Sequence, residues 1–237
     1  MSSRSPRGRF VTFEGLDGCG KSTQLEKLAV VLRDLGIPVI TTREPGGTAT
    51  GEKIRNVLLD SGTAGLSPFA ELALMFASRA QHIKEVIQPA LAAGSVVLCD
   101  RFTDSSEAYQ GGGRKLGSAP VLDLHRVLCG DLQPDLTILM DSEVAASVER
   151  ARRRNKTKVS ENGGGQGDEN RFEQESRTFF GRVHSTYLAI AEREPQRVVL
   201  IDARGPAEQT HAKIVEVVTQ KLKLSVERTL LSALRKP

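Results

Sequence analysis

The segment that most constrains the fold is a glycine-rich turn between an apolar run and an amphipathic helix. Residues 9–14 (RFVTFE) have the pattern of a buried strand, and residues 21–36 carry a helical periodicity that ends at Gly36. Residues 15–22 between them (GLDGCGKS) fit the pattern G-x-x-x-x-G-K-[ST]. A strand, a tight turn and a helix in this order predict the first unit of an open α/β sheet.

The rest of the chain repeats this alternation of short apolar strands and helical stretches. Four more strands are predicted at residues 37–42, 95–100, 135–141 and 196–203, with helices near residues 51–59 and 68–93. Apolar strands separated by helices predict a parallel sheet that is covered on both faces. We therefore expect a three-layer α/β/α fold of the P-loop NTPase type, with a five-stranded parallel sheet flanked by helices and a mobile lid.

Composition excludes several classes of protein. The longest apolar runs are far too short to cross a bilayer, and no apolar signal-peptide core follows the basic N-terminus. The three cysteines are an odd number without metal-ligand spacing, so we expect a reduced, cytoplasmic protein with no membrane partner. The net charge of +4 is mild and no long aromatic and basic stretch accompanies it, so we expect no nucleic-acid partner.

The glycine-rich turn predicts a binding site for a nucleoside triphosphate. Glycines let the backbone approach phosphates with its N–H groups turned inward, and the helix N-terminus adds positive potential. Lys21 would reach the β and γ phosphates, and the Ser22 hydroxyl would bind Mg²⁺. GTPases, ATPases and small-molecule kinases share this pattern, so it does not name the reaction. The residues expected to bind ATP here are Gly15, Leu16, Asp17, Gly18, Cys19, Gly20, Lys21, Ser22 and Thr23.

Two further strand ends carry charged residues. Asp100 and Arg101 end the third strand, and ligands of open α/β sheets bind beyond the carboxyl ends of the strands. A carboxylate there can hold Mg²⁺ and an arginine can bind a phosphate, although an Asp–Arg surface pair is the alternative. The end of the second strand and the next helix add four further candidates: Arg43, Glu44, Pro45 and Arg55. From composition alone, the charged ones could equally be solvated surface side chains.

Residues 74–82 and 104–114 offer groups that suit a nucleobase and a sugar. Phe76 and Arg79 are three residues apart on a predicted helix and share a face. An aromatic ring beside a guanidinium can stack on a flat base and bind its edge, whereas a core Phe76 with a snorkelling Arg79 is the alternative. The later segment adds hydrogen-bonding side chains at helical spacing: Ser105, Ser106, Tyr109 and Gln110.

Six segments of the chain occur together in a recognisable order: FEGLDGCGKST, TREPGGT, LMFASR, CDRFTDSSEAYQGGGR, PDLTILMD and RFEQES. From Arg9 to about Leu222 the chain resembles the bacterial thymidylate kinase (dTMP kinase) family. The DR pair with S-x-x-Y-Q-G distinguishes this family from adenylate, guanylate and cytidylate kinases. The resemblance implies transfer of the γ-phosphoryl group of ATP to dTMP with Mg²⁺, giving ADP and dTDP.

The resemblance also implies roles for the acceptor residues. Phe76 is expected to stack on thymine, Arg79 to bind its O4 edge, and Gln110 and Ser106 to bind its N3/O4 side. Tyr109 is expected beside C2′ of the deoxyribose.

The implied site is completed by three arginines, a carboxylate of the glycine-rich turn and two residues that bind the metal. Arg43, Arg55 and Arg101 are expected around the dTMP phosphate, with Glu44 nearby. Asp17 is expected at the 3′-hydroxyl or in the metal shell, and Ser22 and Asp100 are the expected metal ligands.

The donor side is expected to be completed by a flexible lid at about residues 150–171. Some family members carry an arginine in the phosphate loop where this chain has Gly18, so the resemblance assigns the missing charge to lid arginines. A basic, solvated helix end is the alternative, and this lid is longer and richer in glycine than the family pattern. Adenine is expected near Arg204, after the fifth strand. The expected catalytic residues are Lys21, Asp17, Arg101, Arg152, Arg154 and Arg171.

The resemblance covers one domain, residues 1–237, with a core at about residues 9–222 and a C-terminal helical extension at residues 223–237. Family members are commonly homodimers, so a homodimer is expected. Two alternatives stay open at this point. One is a nucleoside monophosphate kinase of other specificity, for dUMP or dCMP, and the other is a P-loop ATPase that acts as a switch.

Overall fold

The expected five-stranded parallel sheet is confirmed. The computed structural model describes residues 7–63, 65–130, 132–161, 171–172 and 174–222, with only the backbone described for residues 155–161. All strand pairs are parallel, and the strand order is β2-β3-β1-β4-β5. The strands are β1 Arg9–Glu14, β2 Val39–Arg43, β3 Val96–Asp100, β4 Leu136–Asp141 and β5 Val198–Asp202.

Helices cover both faces of this sheet. Their bounds are α1 Lys21–Asp34, α2 Ala49–Leu59, α3 Pro68–His82, α4 Gln88–Ala92, α5 Thr103–Ser106, α6 Ser118–Cys129, α7 Val144–Glu161, α8 Arg177–Arg193 and α9 Ala207–Lys221. A π-helical turn, Ile83–Ile87, separates α3 from α4, so the single helix expected over residues 68–93 is interrupted. Pro89 explains the interruption, because it lacks an N–H and its ring would clash with the carbonyl four residues earlier.

The core lies on the two faces of the central strand β1. Val11 and Phe13 point to one face, where α1 and α9 supply Leu28 and Ile214. Phe10 points to the other face and packs among residues of α3, α4 and α6. Successive side chains of a strand alternate between faces, so these two clusters form the two interfaces of a three-layer α/β/α domain.

The strand register brings three loops together at one edge of the sheet. Phe13 in β1 pairs with Asp100 in β3, and Asp100 in turn pairs with Arg43 in β2. The residues that follow these positions therefore leave the sheet side by side. The glycine-rich turn, Arg101 and the segment after Arg43 meet at this edge because all three strands run in the same direction.

The region expected to be a lid begins as a helix. Helix α7 continues to Glu161, although residues 155–170 have no clear periodicity in the sequence. Lysine, arginine and glutamate favour helix, and the first glycine of this region occurs only at residue 163. Residues 162–170 and the predicted extension 223–237 lie outside the described residues. Within the described ranges, no helix is long and apolar enough to span a membrane.

Candidate active site

The turn between β1 and α1 has the geometry of an anion-binding loop. Gly15, Gly18 and Gly20 have φ angles of 131°, 79° and 100°, a region that favours glycine. A Cβ atom on Gly18 would lie 2.2 Å from the carbonyl oxygen of Ser147, so space also requires glycine there. The first turn of α1 carries no acidic residue. Its N-terminus therefore presents uncompensated positive potential to a bound phosphate.

Lys21 is held over this loop. Its side chain is buried, and its ammonium donates hydrogen bonds to the carbonyl oxygens of Gly15 at 3.2 Å and Leu16 at 3.0 Å. The same nitrogen lies 4.0 Å from a carboxylate oxygen of Asp17. These contacts fix a positive charge beside the loop N–H groups, where phosphate oxygens would be bound.

Ser22 and Asp100 form a pair that suits a divalent cation. The Ser22 hydroxyl donates a hydrogen bond of 2.6 Å to Oδ2 of Asp100. The other carboxylate oxygen, Oδ1, is buried and has no hydrogen-bond partner among the described residues. Hydroxyl and carboxylate oxygens are ligands that Mg²⁺ prefers, and a buried oxygen without a partner is stabilised by a bound cation. These two residues therefore fit the metal site expected from the sequence.

Arg101 is the centre of a hydrogen-bond network at the end of β3. Its Nη2 donates to Oδ1 of Asp17 at 2.8 Å and to the Tyr109 hydroxyl at 3.2 Å. Its Nη1 donates to the hydroxyl oxygens of Ser105 at 2.9 Å and Tyr187 at 3.1 Å. The backbone of Arg101 has a φ of 75°, which is unusual for a non-glycine residue. These contacts fix the position of the guanidinium at the carboxyl end of the strands.

The network keeps Asp17 ionised. Burial raises the pKa of its carboxyl group, but the positive charges of Arg101 and Lys21 outweigh that effect and hold the pKa well below its usual range. Arg154, on α7, contributes in the same direction. Asp17 can therefore accept a hydrogen bond from a ligand hydroxyl or bind a cation at neutral pH.

A cavity beside this network collects most of the residues expected to bind the acceptor. They come from the β2–α2 connection, α2, α3 and the segment after β3, which the sheet topology brings together. The residues that line it and were expected in the site are Asp17, Glu44, Pro45, Arg55, Arg79, Arg101, Ser105, Ser106, Tyr109, Gln110 and Arg154. Three further lining residues were not expected from the sequence: Leu59, Met75 and Phe172.

The inner end of this cavity offers directional hydrogen-bond donors. The Arg79 guanidinium donates to Glu44 at 2.7 Å and, from Nη2, to the Ser106 hydroxyl at 3.0 Å. Its buried Nη1 has no hydrogen-bond partner in the described part of the chain. Gln110 donates its amide N–H to Glu71 at 2.8 Å, which leaves its amide oxygen as an acceptor. A fixed donor and an acceptor at a closed end suit the edge of a nucleobase.

A second cavity adjoins the first at the glycine-rich loop. It is lined by the loop, Lys21, Ser22, Thr23, Arg43 and Asp100. Among the described residues, five line both cavities: Asp17, Glu44, Arg55, Arg101 and Arg154. We refer to the first cavity, which contains Arg79 and Gln110, as the base-sized cavity, and to the second, at the glycine-rich loop, as the phosphate cavity. The two share one wall of charged side chains.

Comparison with known proteins agrees with this geometry. The family model described as "Thymidylate kinase" matches residues 13–214. The chain belongs to the thymidylate kinase family. A thymidylate kinase of Pelobacter propionicus is 45% identical over 224 residues, which cover 94% of this chain and 100% of that protein. One of Desulfovibrio desulfuricans is 50% identical over 199 residues, which cover 84% and 89%. The crystal structure of thymidylate kinase from Ehrlichia chaffeensis has a TM-score of 0.69 at 30% identity, covering 90% of this chain and 99% of that one.

Within this thymidylate kinase fold, Phe76 does not reach the base-sized cavity. Its side chain is fully buried in the core cluster of α3, α4 and α6. The Arg79 guanidinium carbon lies 4.6 Å from the centre of the Phe76 ring, so Phe76 packs against Arg79 from the core. Met75 lines the cavity instead. On a helix, Met75 is offset from Arg79 by about 40° and Phe76 by about 60° in the opposite direction, so the two face different sides.

The three expected lid arginines have different surroundings. Arg154 lines both cavities. Arg152 is exposed, and its guanidinium donates to the carbonyl oxygen of Glu175 at 3.1 Å. Arg171 is buried, pairs with Glu71 and donates to the carbonyl oxygen of Leu58 at 2.8 Å. Arg171 therefore ties its segment to α2 and α3, and the structure does not bring it to the phosphate loop.

Arg204 also lies apart from both cavities. It follows β5, is largely exposed, and pairs with Asp141 at the end of β4. Asp141 accepts a second contact, of 2.7 Å, from His184. Arg43 lines only the phosphate cavity, where it pairs with Glu52 at 3.0 Å. Chain spacing gave no signal for Asp141 as a partner of Arg204 and His184, because it lies 63 and 43 residues from them in the sequence.

Proposed function

We propose that this chain transfers the γ-phosphoryl group of ATP to the phosphate of dTMP, giving ADP and dTDP. The observation that carries the proposal is the wall shared by the two cavities. In-line phosphoryl transfer needs donor and acceptor phosphates at a common boundary, with positive charge placed where they meet. Arg101, Arg55 and Arg154 supply that charge, and all three line both compartments.

The donor would bind in the glycine-rich loop. Its β and γ phosphates would accept hydrogen bonds from loop N–H groups and lie beside Lys21. Ser22 and Asp100 would hold Mg²⁺, which when bound supplies positive charge beside the donor phosphates. Arg154 is the lid arginine that this proposal places at the transferred group, since it alone of the three expected lid arginines lines the shared wall.

The acceptor would lie in the base-sized cavity. Its phosphate would be bound by Arg101 and Arg55, with the Asp17 carboxylate near the sugar. Its base would meet Arg79, whose Nη1 has no hydrogen-bond partner among the described residues and suits a carbonyl oxygen such as O4 of thymine. Met75 would pack on the base, a role open to a polarisable thioether. Tyr109, Ser105, Ser106 and Gln110 complete the polar lining.

The transfer needs no protein general base. The phosphate oxygen of dTMP is already a nucleophile, so positioning and charge neutralisation suffice. Neither cavity is lined by a histidine in the described part of the chain.

We also propose that the protein is a cytoplasmic homodimer. Large apolar side chains are exposed on the neighbouring helices α2, α3 and α6: Val57, Phe69, Val127 and Leu128. Apolar groups on adjacent helices suit a face that a second copy covers. Size-exclusion chromatography with light scattering at micromolar concentration tests this, and a mass of one chain under those conditions would contradict it.

The formation of dTDP from dTMP, ATP and Mg²⁺ tests the activity, with products separated by ion-exchange chromatography. Arg101→Ala should lower the rate by at least about 100-fold, because it removes a charge at the transferred group. Arg9→Ala is the matched control, since Arg9 is exposed at the start of β1, away from the glycine-rich loop, and pairs with Asp135. Equal rates for the two variants would contradict the proposed site.

A further inference from the structure

A buried carboxylate that has no role in the proposed reaction lies directly behind the active site. Glu14 is the last residue of β1 and precedes the glycine-rich loop. Its side chain is fully buried and lines neither cavity. Burial of a carboxyl group is costly unless hydrogen bonds compensate for it. The hydrogen-bond partners of Glu14 therefore indicate its structural role.

One carboxylate oxygen fixes the backbone next to Arg101. Oε1 of Glu14 accepts a hydrogen bond of 2.7 Å from the N–H of Phe102. The N–H of Arg101 itself donates to the carbonyl oxygen of Phe13 at 3.0 Å. Arg101, with its φ of 75°, thus lies between two peptide groups that are both held by the end of β1. A left-handed non-glycine residue persists only where its surroundings impose that conformation.

The other oxygen fixes the side chain of Arg101. Oε2 accepts hydrogen bonds from the hydroxyls of Ser105 at 2.5 Å and Tyr187 at 3.0 Å. These are the two hydroxyls that accept hydrogen bonds from Nη1 of Arg101. A hydroxyl that donates its proton to a carboxylate turns its lone pairs elsewhere. Glu14 therefore sets the direction of both hydroxyls so that they can accept from the guanidinium.

We propose that Glu14 is a positioning residue for the acceptor phosphate, acting through Arg101. Its two oxygens hold the backbone and the guanidinium of that arginine at once. The inference rests on the proposed function, in which Arg101 binds the phosphate of dTMP. Glu14 does not touch substrate, so its removal should weaken dTMP binding and leave the ATP site intact.

The test measures the equilibrium binding of dTMP and, separately, of ATP by isothermal titration calorimetry at pH 8. The wild-type protein is compared with Glu14→Gln. Glutamine keeps the size of the side chain but replaces one acceptor oxygen with an N–H donor, which mismatches either Phe102 or the two hydroxyls. The dissociation constant for dTMP should rise about tenfold, and that for ATP should change less than twofold. Glu107→Gln is the matched control, because Glu107 is also buried but pairs with Arg193.

A double-mutant cycle separates positioning from a general structural role. If Glu14 acts through Arg101, Glu14→Gln should change dTMP binding less than twofold in the Arg101→Ala background. An unchanged dTMP affinity in the single variant, or the full loss in both backgrounds, would overturn the inference. If Glu14→Gln does not fold, Tyr187→Phe removes one of the oriented hydroxyls and should weaken dTMP binding about threefold. No weakening in that variant would overturn the inference as well.

Failure of the proposed function gives a different result. A wild-type chain that binds no dTMP would refute the function on which the inference rests. A wild-type chain that binds dTMP with an affinity that Glu14→Gln leaves unchanged would refute the positioning role alone.

Discussion

The carboxyl group of Glu14 should make the protein less stable as the pH rises towards neutrality. Burial, followed by the negative charge of Asp104, raises the pKa of Glu14 from 4.5 to about 7. Arg101 and the hydrogen bonds from Ser105 and Phe102 oppose this rise but do not cancel it. The folded protein therefore keeps a proton on Glu14 at pH values where the unfolded chain has lost it.

The sign and size of the effect follow from this difference. Between pH 4.5 and about 7 the folded state binds more protons than the unfolded state, so the free energy of unfolding falls as the pH rises. The contribution is complete below the unfolded pKa and is lost once the pH passes the folded pKa. At 1.36 kcal/mol per pH unit, the shift corresponds to about 3 kcal/mol. About 2 to 3 kcal/mol of this falls between pH 5 and pH 8.

Urea unfolding of the wild type and of Glu14→Gln across this pH range is the assay. Glutamine does not titrate, so the free energy of unfolding of the wild type minus that of the variant isolates Glu14. That difference should fall by about 2 to 3 kcal/mol from pH 5 to pH 8. Glu208→Gln is the control, because the hydrogen bond from Lys27 lowers the pKa of Glu208 below 4.5, so its difference should stay nearly constant between pH 5 and pH 8. A difference for Glu14 that stays constant to within about 0.5 kcal/mol would refute the reasoning.

Four further substitutions test other parts of the account. Met75→Ala should raise KM for dTMP several-fold in steady-state kinetics. Phe76→Ala should lower the free energy of unfolding by about 3–5 kcal/mol in urea unfolding, and Met75→Ala should lower it less, because Met75 is only partly buried whereas Phe76 is fully buried. Glu71→Ala should cost about 3–5 kcal/mol in the same unfolding assay, since it leaves the buried Arg171 without its carboxylate. Asp100→Asn should raise the Mg²⁺ concentration for half-maximal activity at least about tenfold in a metal titration, and an unchanged midpoint would contradict the metal site.

Local patterns in the sequence predicted the sheet well, and the glycine-rich loop lies between β1 and α1 as they indicated. Strand β1 has the predicted bounds, and the other four strands differ from prediction by one or two residues at their ends. The loop was predicted because its chemistry is contiguous: glycines, lysine and serine follow one another between a strand and a helix. Arg101 was predicted from its place at a strand end, where the parallel topology leaves little choice.

Predictions that depended on side-chain direction were less successful. Spacing alone allowed either Phe76 or Met75 to share a face with Arg79, and preference for an aromatic residue selected the one that lies in the core. Met75 could have been found by comparing the two angular offsets along the helix. The family resemblance assigned Arg171 to the phosphates as a lid arginine, but its partner Glu71 is 100 residues away in the chain and holds it elsewhere.

The residues that sequence analysis missed are joined to the site through long-range contacts. Tyr187 approaches Arg101 from α8, and Phe172 lines the base-sized cavity from beyond α7. Glu14 follows a run of buried strand residues, and its hydrogen-bond partners come from the segment after β3 and from α8. No local pattern marks such residues, because their neighbours are defined only by the packing of distant elements.

The rate of ADP release from ATP and Mg²⁺, measured with dTMP, dUMP, dCMP, dGMP or AMP and without acceptor, tests the central claim most directly. The account predicts fast turnover with dTMP and slower turnover with dUMP, because one methyl group contributes about 1–3 kcal/mol of discrimination. The other nucleotides should give rates near that of the reaction without acceptor. Equal ADP release with and without dTMP would contradict the account and would favour an ATPase.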